Sequence, residues 1–209
     1  MVSQKINYDL EFQKIVKNLN GKPKLLLHSC CAPCSSAVIE NVCKFFDVTI
    51  FYYNPNIYPM EEYVKRKEEQ VRLCNILNIN FLDCDYNEQT FLDYVKGLEK
   101  ELEGGARCNK CFYLRLEQTA KQSMQNSFEY FGTTLTVSPH KNEQIINKIG
   151  ETLQKEFEVK FLFADFKKHN GYLNSINLSK KYNLYRQDYC GCRFSKKGWQ
   201  WNKKKALNY

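Results

Sequence analysis

Residues 28–36, His28-Ser29-Cys30-Cys31-Ala32-Pro33-Cys34-Ser35-Ser36, place three thiols between an apolar segment and an amphipathic one. The segment Lys24–Leu27 before them is typical of a buried strand, and the pattern Val38–Phe46 after them predicts a helix. Backbone N–H groups and the positive end of the helix dipole favour thiolates at such a place. Because thiolates bind metals and attack electrophiles, this segment predicts chemistry rather than core packing.

Four further segments rich in aliphatic or aromatic residues complete a set of five predicted strands. The five are Lys24–His28, Val48–Tyr53, Asn80–Cys84, Glu129–Val137 and Val159–Ala164. Apolar residues recur at helical spacing between them, in rows that begin at Val38, Val64, Phe112 and Ile145. This alternation predicts an α/β fold with a parallel sheet of about five strands, covered by helices on both faces. Ligands of such sheets bind beyond the carboxyl ends of the strands.

The alternation of strands and helices ends after Phe166, which predicts two parts. Residues 1–166 would form the α/β domain, and 167–209 a C-terminal extension folded over the active end. The chain has a net charge of +8, but the extension alone carries +10 and the remainder −2. The extension also contains Trp199, Trp201 and six other aromatic residues. Such a segment suits RNA, whereas the alternative is a basic tail that only keeps the protein soluble.

Ten cysteines in 209 residues set the expected compartment. The sequence has no apolar run of membrane-spanning length, and its N-terminus lacks the apolar core of a signal peptide. We therefore expect a cytoplasmic protein without a membrane partner, whose thiols serve metal or redox chemistry rather than structural disulfides. Three of these cysteines stand singly on apolar segments and are expected to pack as small hydrophobic residues: Cys43, Cys74 and Cys84.

A second thiol pair lies in the segment Arg107-Cys108-Asn109-Lys110-Cys111-Phe112, where a helix is predicted to begin. Together with Cys30 and Cys31, it supplies four thiolates, which suit tetrahedral zinc or an iron–sulfur cluster. Adjacent cysteines chelate a single zinc ion awkwardly, whereas a cluster offers separate iron atoms to them. The spacing therefore favours an iron–sulfur cluster over zinc.

A third pair, Cys190 and Cys192, flanks Gly191 inside the basic extension. A disulfide between residues two apart would be strained and easily reduced, which favours a redox-active pair. The alternatives are two ordinary loop thiols or two further metal ligands.

Six ordered segments resemble the QueH family of epoxyqueuosine reductases, and the resemblance runs from about residue 22 to 196. They are His28–Cys34, Tyr53–Pro59 with Glu62, Tyr63 and Arg66, Arg107-Cys108 with Cys111-Phe112 and Arg115-Leu116, Leu135-Thr136 with Ser138–His140, Asp165–Lys168 and Tyr185–Cys192. The resemblance implies a Rossmann-like sheet similar to that of the PP-loop (HUP-like) nucleotide-binding proteins. It also implies removal of the epoxide oxygen from epoxyqueuosine at the wobble position of a tRNA, to give queuosine.

The resemblance also implies roles for individual cysteines. It assigns Cys30, Cys31, Cys108 and Cys111 to a 4Fe–4S cluster, and Cys190 with Cys192 to a redox-active disulfide. A second metal, such as one additional iron ion, is implied beside the cluster in at least some members. Cys34 stands where relatives can carry a carboxylate and is the candidate ligand for that metal. Because cysteines replace the glycine-rich phosphate loop of PP-loop proteins, we expect no ATP site.

Removal of an epoxide oxygen requires two electrons, from a donor that the sequence does not identify, and protons. The candidate proton donors are His140, Tyr58 and Asp165, which all follow strands, although structural roles suit each of them equally well. The basic extension would hold the anticodon loop of a tRNA from the queuosine family.

Two other classes of protein fit parts of the sequence. A thioredoxin-like thiol–disulfide oxidoreductase would use the local motif Cys31-Ala32-Pro33-Cys34 between a strand and a helix. A non-catalytic, zinc-bound RNA-binding module would use the same four cysteines as the cluster. Neither class requires all three cysteine groups together with the basic extension.

Overall fold

The computed structural model describes residues 5–195, and five parallel strands form its sheet in the order β3-β2-β1-β4-β5. The strands are β1 (Lys24–His28), β2 (Asp47–Phe51), β3 (Asn80–Leu82), β4 (Tyr130–Thr133) and β5 (Lys160–Phe161). The α-helices are α1 (Tyr8–Lys17), α2 (Ala32–Val42), α3 (Met60–Leu77), α4 (Glu88–Tyr94), α5 (Ala106–Gln125), α6 (Glu143–Phe157) and α7 (Gly171–Lys181). A 3-10 helix, Thr134–Val137, follows β4 directly.

Two apolar clusters cover the two faces of the sheet, as the alternation of strands and helices predicts. One cluster packs α1, α2 and α3 against β1 and β2, and the other packs α5 and α6 against β4 and β5. The central strand β1 has Leu25, Leu26 and Leu27 fully buried, because helices lie on both of its faces. The carboxyl end of this strand therefore opens into the middle of the molecule, where the thiol segment begins.

Four predicted strands, all but the first, end earlier than expected, and the last two differ most. Strand β4 stops at Thr133, because the Thr133 hydroxyl accepts a hydrogen bond from the Leu135 N–H at 3.1 Å and caps the 3-10 helix. The prediction of a strand up to Val137 was therefore wrong. Beyond β5, Ala164 bonds through both backbone groups to the Asn147 side chain of α6, at 3.0 Å each, instead of to a strand.

Helices also differ from their predicted bounds. Helix α2 begins at Ala32 and helix α5 at Ala106, each about six residues before the start of the predicted apolar row, since side chains of a first turn need not be apolar. Helices α1, α4 and α7 were not predicted. Helix α7 lies within the predicted extension and packs against α2, so helical structure continues beyond Phe166.

The remaining part of the extension includes Trp199, Trp201 and Lys203–Lys205, which lie outside the described residues. In the described part of the chain, no helix is long and apolar enough to cross a membrane. The division into residues 1–166 and 167–209 stays a prediction.

Candidate metal and redox centre

Three thiols meet directly beyond the end of β1. Cys31 is the N-cap of α2, and Cys34 lies in its first turn. The Sγ atoms of Cys30, Cys31 and Cys34 all lie within 4.8 Å of one another, and Cys30 and Cys31 are 3.8 Å apart. Within residues 5–195 this is the one set of three or more Cys, His, Asp or Glu whose ligand atoms lie so close. The geometry can hold a metal ion.

Polar side chains of the neighbouring elements hold this turn. The Gln70 side-chain oxygen, on α3, accepts hydrogen bonds from the hydroxyls of Ser29 and Ser35 at 2.7 Å and 2.8 Å. The Asn54 amide, after β2, donates to the carbonyl of Ser29 at 2.8 Å. All four side chains are buried. A cysteine pair in a flexible loop would lack such support, so the thiols are preorganised for a ligand.

His28, the last residue of β1, is a fully buried neutral histidine. Its Nε2 lies 3.2 Å from the carbonyl oxygen of Tyr53, and its Nδ1 lies 3.0 Å from the Thr133 hydroxyl. A carbonyl only accepts, so Nε2 carries the proton and Nδ1 accepts from the hydroxyl. Burial, assisted by the charge of Arg115, lowers the pKa of His28 to about 3. This ring therefore joins three strand ends rather than donating protons.

The three thiols of the turn do not titrate alike. Hydrogen bonds from Cys31 and Cys34 hold the pKa of Cys30 well below its usual range. The same contact with Cys30 raises the pKa of Cys31 to about 11, and hydrogen bonding to Cys30 also raises the pKa of Cys34. Of the three, Cys30 is therefore the thiol that loses its proton most readily. Because a metal binds thiolates, its binding to this turn would release protons.

The second thiol pair lies in the first two turns of α5. The Cys108 Sγ accepts a hydrogen bond from the Gly104 N–H at 3.2 Å. The Arg107 guanidinium binds the loop before the helix by donating to three of its backbone carbonyls, those of Leu98, Glu99 and Glu101. Burial raises the pKa of Cys111 to about 12 and also raises that of Cys108.

The third pair lies in a loop that is docked onto α3 and the segment after β2. The Arg66 guanidinium donates to the carbonyls of Cys190 and Tyr189 at 3.3 Å and 3.4 Å, and it pairs with Glu62 at 2.6 Å. The Tyr58 N–H donates to the carbonyl of Gly191 at 2.8 Å. Gly191 adopts φ +100°, which disfavours any other residue there. Burial raises the pKa of Cys192 to about 11.

One cavity of about 870 Å³ joins these three segments. Six thiol-bearing residues line it: Cys30, Cys34, Cys108, Cys111, Cys190 and Cys192. Cys31 is only 1% exposed and lies behind Cys30. Segments that are distant in sequence thus place their thiols around one space at the carboxyl end of the sheet, where the fold predicts a ligand.

The three candidate proton donors lie in different places. His140 is exposed and lines the cavity. Asp165 lines a separate cavity of about 390 Å³ and pairs with Lys167 at 2.8 Å. The Tyr58 ring packs beneath the Arg193 guanidinium, with 4.2 Å between the Cζ atom and the ring centroid, and does not line the large cavity.

Arg66 and Arg115 line the cavity and are each 2% exposed, but the sequence analysis included them only in the family resemblance and gave them no role of their own. Helical spacing could have found Arg115, because it lies four residues after Cys111 and continues a row of buried polar side chains through Thr119 and Ser123. No comparable signal marks Arg66, whose partners Tyr189 and Cys190 lie more than 120 positions away.

The sequence matches a family model described as "Epoxyqueuosine reductase QueH" over residues 25–198. An epoxyqueuosine reductase QueH of Staphylococcus epidermidis is 42% identical over 206 residues, which cover 93% of this chain and 87% of the relative. A protein of the same name from Thermotoga maritima is 38% identical over 174 residues, which cover 82% of this chain and 89% of the relative.

Solved structures show the same fold at low identity. The U34-tRNA thiolase NcsA from Methanococcus maripaludis, determined with its [4Fe-4S] cluster, aligns with a TM-score of 0.57 at 12% identity, over 90% of this chain and 67% of that one. A predicted subunit of tRNA methyltransferase from Methanocaldococcus jannaschii aligns with a TM-score of 0.52 at 10% identity, over 76% and 74%. These likenesses confirm the Rossmann-like, PP-loop (HUP-like) sheet.

The matches favour neither the thioredoxin-like oxidoreductase nor the zinc-bound RNA-binding module. They cover all three cysteine segments in one continuous alignment, whereas each alternative accounts for only part of them. The chain belongs to the QueH family of epoxyqueuosine reductases.

Proposed function

We propose that this chain reduces epoxyqueuosine in tRNA to queuosine, with an iron–sulfur cluster that its cysteines hold. The relatives are named epoxyqueuosine reductases, and the structural relative NcsA carries a [4Fe-4S] cluster. The observation that carries the proposal is the single cavity onto which three distant cysteine segments open. An enzyme that combines a metal centre with a dithiol requires this convergence, and an RNA-binding module does not.

The donor set fits the cluster. Cys30 and Cys31 at the start of α2, and Cys108 and Cys111 at the start of α5, offer four thiolates from two directions, as 4Fe–4S clusters require. Cys34 lies within 4.8 Å of the first two and is the candidate ligand for an additional iron ion beside the cluster. When bound, such a centre supplies single electrons and a Lewis-acidic iron site for an oxygen atom.

Cys190 and Cys192 match the electron balance of the reaction. Loss of the epoxide oxygen as water, with formation of a carbon–carbon double bond, consumes two electrons and two protons. Oxidation of two thiols to a disulfide releases two electrons and two protons. The loop that carries this pair lines the same cavity as the proposed metal ligands, so the dithiol can supply these two electrons and two protons at the site. An external electron donor must then reduce the disulfide again.

Protonation of the departing oxygen is assigned to His140. Its ring is exposed at the cavity, where it can exchange protons with water and still face a bound substrate. Asp165 already pairs with Lys167, and the Tyr58 backbone N–H supports the loop of Cys190 and Cys192 through its bond to the Gly191 carbonyl. Both of these therefore have structural roles in this proposal.

The substrate form is a cytoplasmic tRNA whose anticodon loop reaches the cavity. Three cations line the cavity besides the buried arginines: Lys100, Lys141 and Arg186. Phosphate contacts by such side chains, and by the basic extension 167–209, would hold the tRNA. Cysteines stand where PP-loop proteins carry their phosphate loop, so the reaction is proposed to proceed without ATP.

The test combines metal analysis with turnover. Anaerobically purified protein should contain close to four iron and four sulfide per chain, and it should convert epoxyqueuosine-tRNA to queuosine-tRNA, as measured by mass spectrometry of the released nucleosides. Cys108→Ala should lose most of the iron and all activity. Cys43→Ala, which removes a thiol outside the cavity, is the matched control and should keep both.

The redox pair requires a separate variant. Cys190→Ser should abolish turnover while the iron content and the visible absorption stay at the wild-type level. A variant that loses about one iron per chain would instead make Cys190 a metal ligand. Protein that binds only zinc after anaerobic reconstitution with iron and sulfide would overturn the proposed function.

A further inference from the structure

Arg115 is a buried cation that lacks a full set of partners. It lies on α5, one turn after Cys111, and its side chain lines the cavity although it is only 2% exposed. Its Nε donates to the carbonyl of Cys111 at 3.1 Å, and its Nη1 lies 3.5 Å from the Asn54 side-chain oxygen. Its Nη2 is fully buried and has no hydrogen-bond partner among the described residues.

No carboxylate of residues 5–195 forms an ion pair with Arg115. The acidic groups that act on its charge are thiols, those of Cys111, Cys190, Cys30 and Cys108. A guanidinium stays protonated in proteins, and an uncompensated charge in a protein interior is costly. The folded chain therefore retains a positive charge, and the groups placed to offset it are the thiols around the cavity once a metal deprotonates them, together with the group that they hold.

The other buried arginines of the cavity have more hydrogen-bond acceptors than Arg115. Arg66 pairs with Glu62 at 2.6 Å. Arg107 also has a buried Nε without a partner among the described residues, but its Nη1 donates to three backbone carbonyls of the loop before α5, which solvate its charge. Arg115 differs from both, because a single carbonyl and one distant amide oxygen accept its hydrogen bonds.

We propose that Arg115 is the counter-charge of the metal centre, a positioning residue that offsets the thiolates and raises the reduction potential of the group they bind. The inference rests on the proposed function, since it requires a redox-active centre between Cys30, Cys31, Cys108 and Cys111. Addition of an electron makes such a centre more negative. A fixed cation nearby, in an interior with little water, favours the reduced state over the oxidised one.

The test compares two substitutions at Arg115 with one at Lys121, an exposed lysine on the same helix. Each anaerobically purified holoprotein is analysed for iron and sulfide, and its midpoint potential is measured by redox titration of the visible absorption. Arg115→Gln removes the charge and should lower the reduction equilibrium constant at least tenfold, which is about 59 mV for a one-electron couple. Arg115→Lys keeps the charge and should stay within about half of that shift. Lys121→Gln removes a surface charge and should leave the potential unchanged.

Each outcome has one meaning. A potential that is unchanged in Arg115→Gln, at full iron content, overturns the proposal. Loss of the centre from Arg115→Gln but not from Arg115→Lys supports it, because both variants lack the guanidinium and only Lys keeps the positive charge. Equal loss from both variants overturns it and assigns Arg115 a role in shape. A wild-type protein without iron and sulfide refutes the proposed function instead, and it does so before any variant is made.

Discussion

Arg66 and Arg115 are both 2% exposed and both line the same cavity, yet they are satisfied in opposite ways. Arg66 has a carboxylate, Glu62, and the backbone carbonyls of Cys190 and Tyr189. Arg115 has one carbonyl, one distant amide oxygen and an unpartnered nitrogen. A buried cation that pairs with its own carboxylate stabilises the fold. A buried cation without one indicates that an anionic group completes the site.

The difference follows from what each arginine must hold. Arg66 connects α3 to a loop that lies 124 positions away and has little structure of its own. Its hydrogen bonds therefore fix the backbone at Cys190 and Tyr189. Arg115 belongs to the same helix as Cys108 and Cys111, which already positions those thiols. Its guanidinium is free to act through its charge.

The largest stability effect is expected from Arg66→Met, because it removes the buried cation that pairs with a carboxylate. The substitution leaves the Glu62 carboxylate, which is 13% exposed, without a cation, and it releases two loop carbonyls. We expect a loss of about 3 kcal/mol in the free energy of unfolding, measured by urea denaturation. Added Glu62→Gln should restore part of this loss, and a strictly additive double variant would contradict the pairing.

A smaller effect is expected from Gly191→Ala, which probes the loop that Arg66 holds. A Cβ atom there would lie 2.9 Å from the Arg66 Nη1 and 3.1 Å from the Ile57 Cγ1, and φ is +100°. We expect a loss of about 2 kcal/mol, together with reduced turnover at unchanged iron content.

Gly21→Ala is the matched control for this substitution. Gly21 has φ +78°, but a Cβ atom there meets nothing within 4 Å, so the variant contains the backbone strain without the contact. It should cost about 1 kcal/mol and leave turnover unchanged. Equal losses in the two alanine variants would show that the close approach to Arg66 contributes nothing.

The smallest effect is expected from Arg72→Gln, on the exposed part of α3. Arg72 resembles Arg66, since it pairs with a carboxylate, Glu69 at 2.8 Å, and donates to the carbonyls of Tyr182 and Asn183. Its side chain is 43% exposed, so water replaces the lost bonds. We expect a change of about 1 kcal/mol or less in urea denaturation, and unchanged iron content. A loss as large as that of Arg66→Met would show that burial is not what separates the two.

The sequence by itself determined the class of the fold and the three thiol segments. Apolar periodicity is local, so it located five strands and the central helices, and their alternation predicted the parallel sheet. The first two cysteine groups were expected at helix starts, because their neighbours in sequence define those boundaries, and the third was expected in the basic extension. Local signals could not give the end of β4, where the Thr133 hydroxyl turns the chain into a 3-10 helix.

Only the tertiary structure decided which side chains share the cavity. It brought the loop of Cys190 and Cys192 against Arg66, and it set Asp165 in a different cavity from His140. It also left Arg115 buried without a carboxylate partner in the described part of the chain. These are contacts between positions far apart in the chain, and they depend on how helices pack on the sheet, which no short-range pattern of residues encodes.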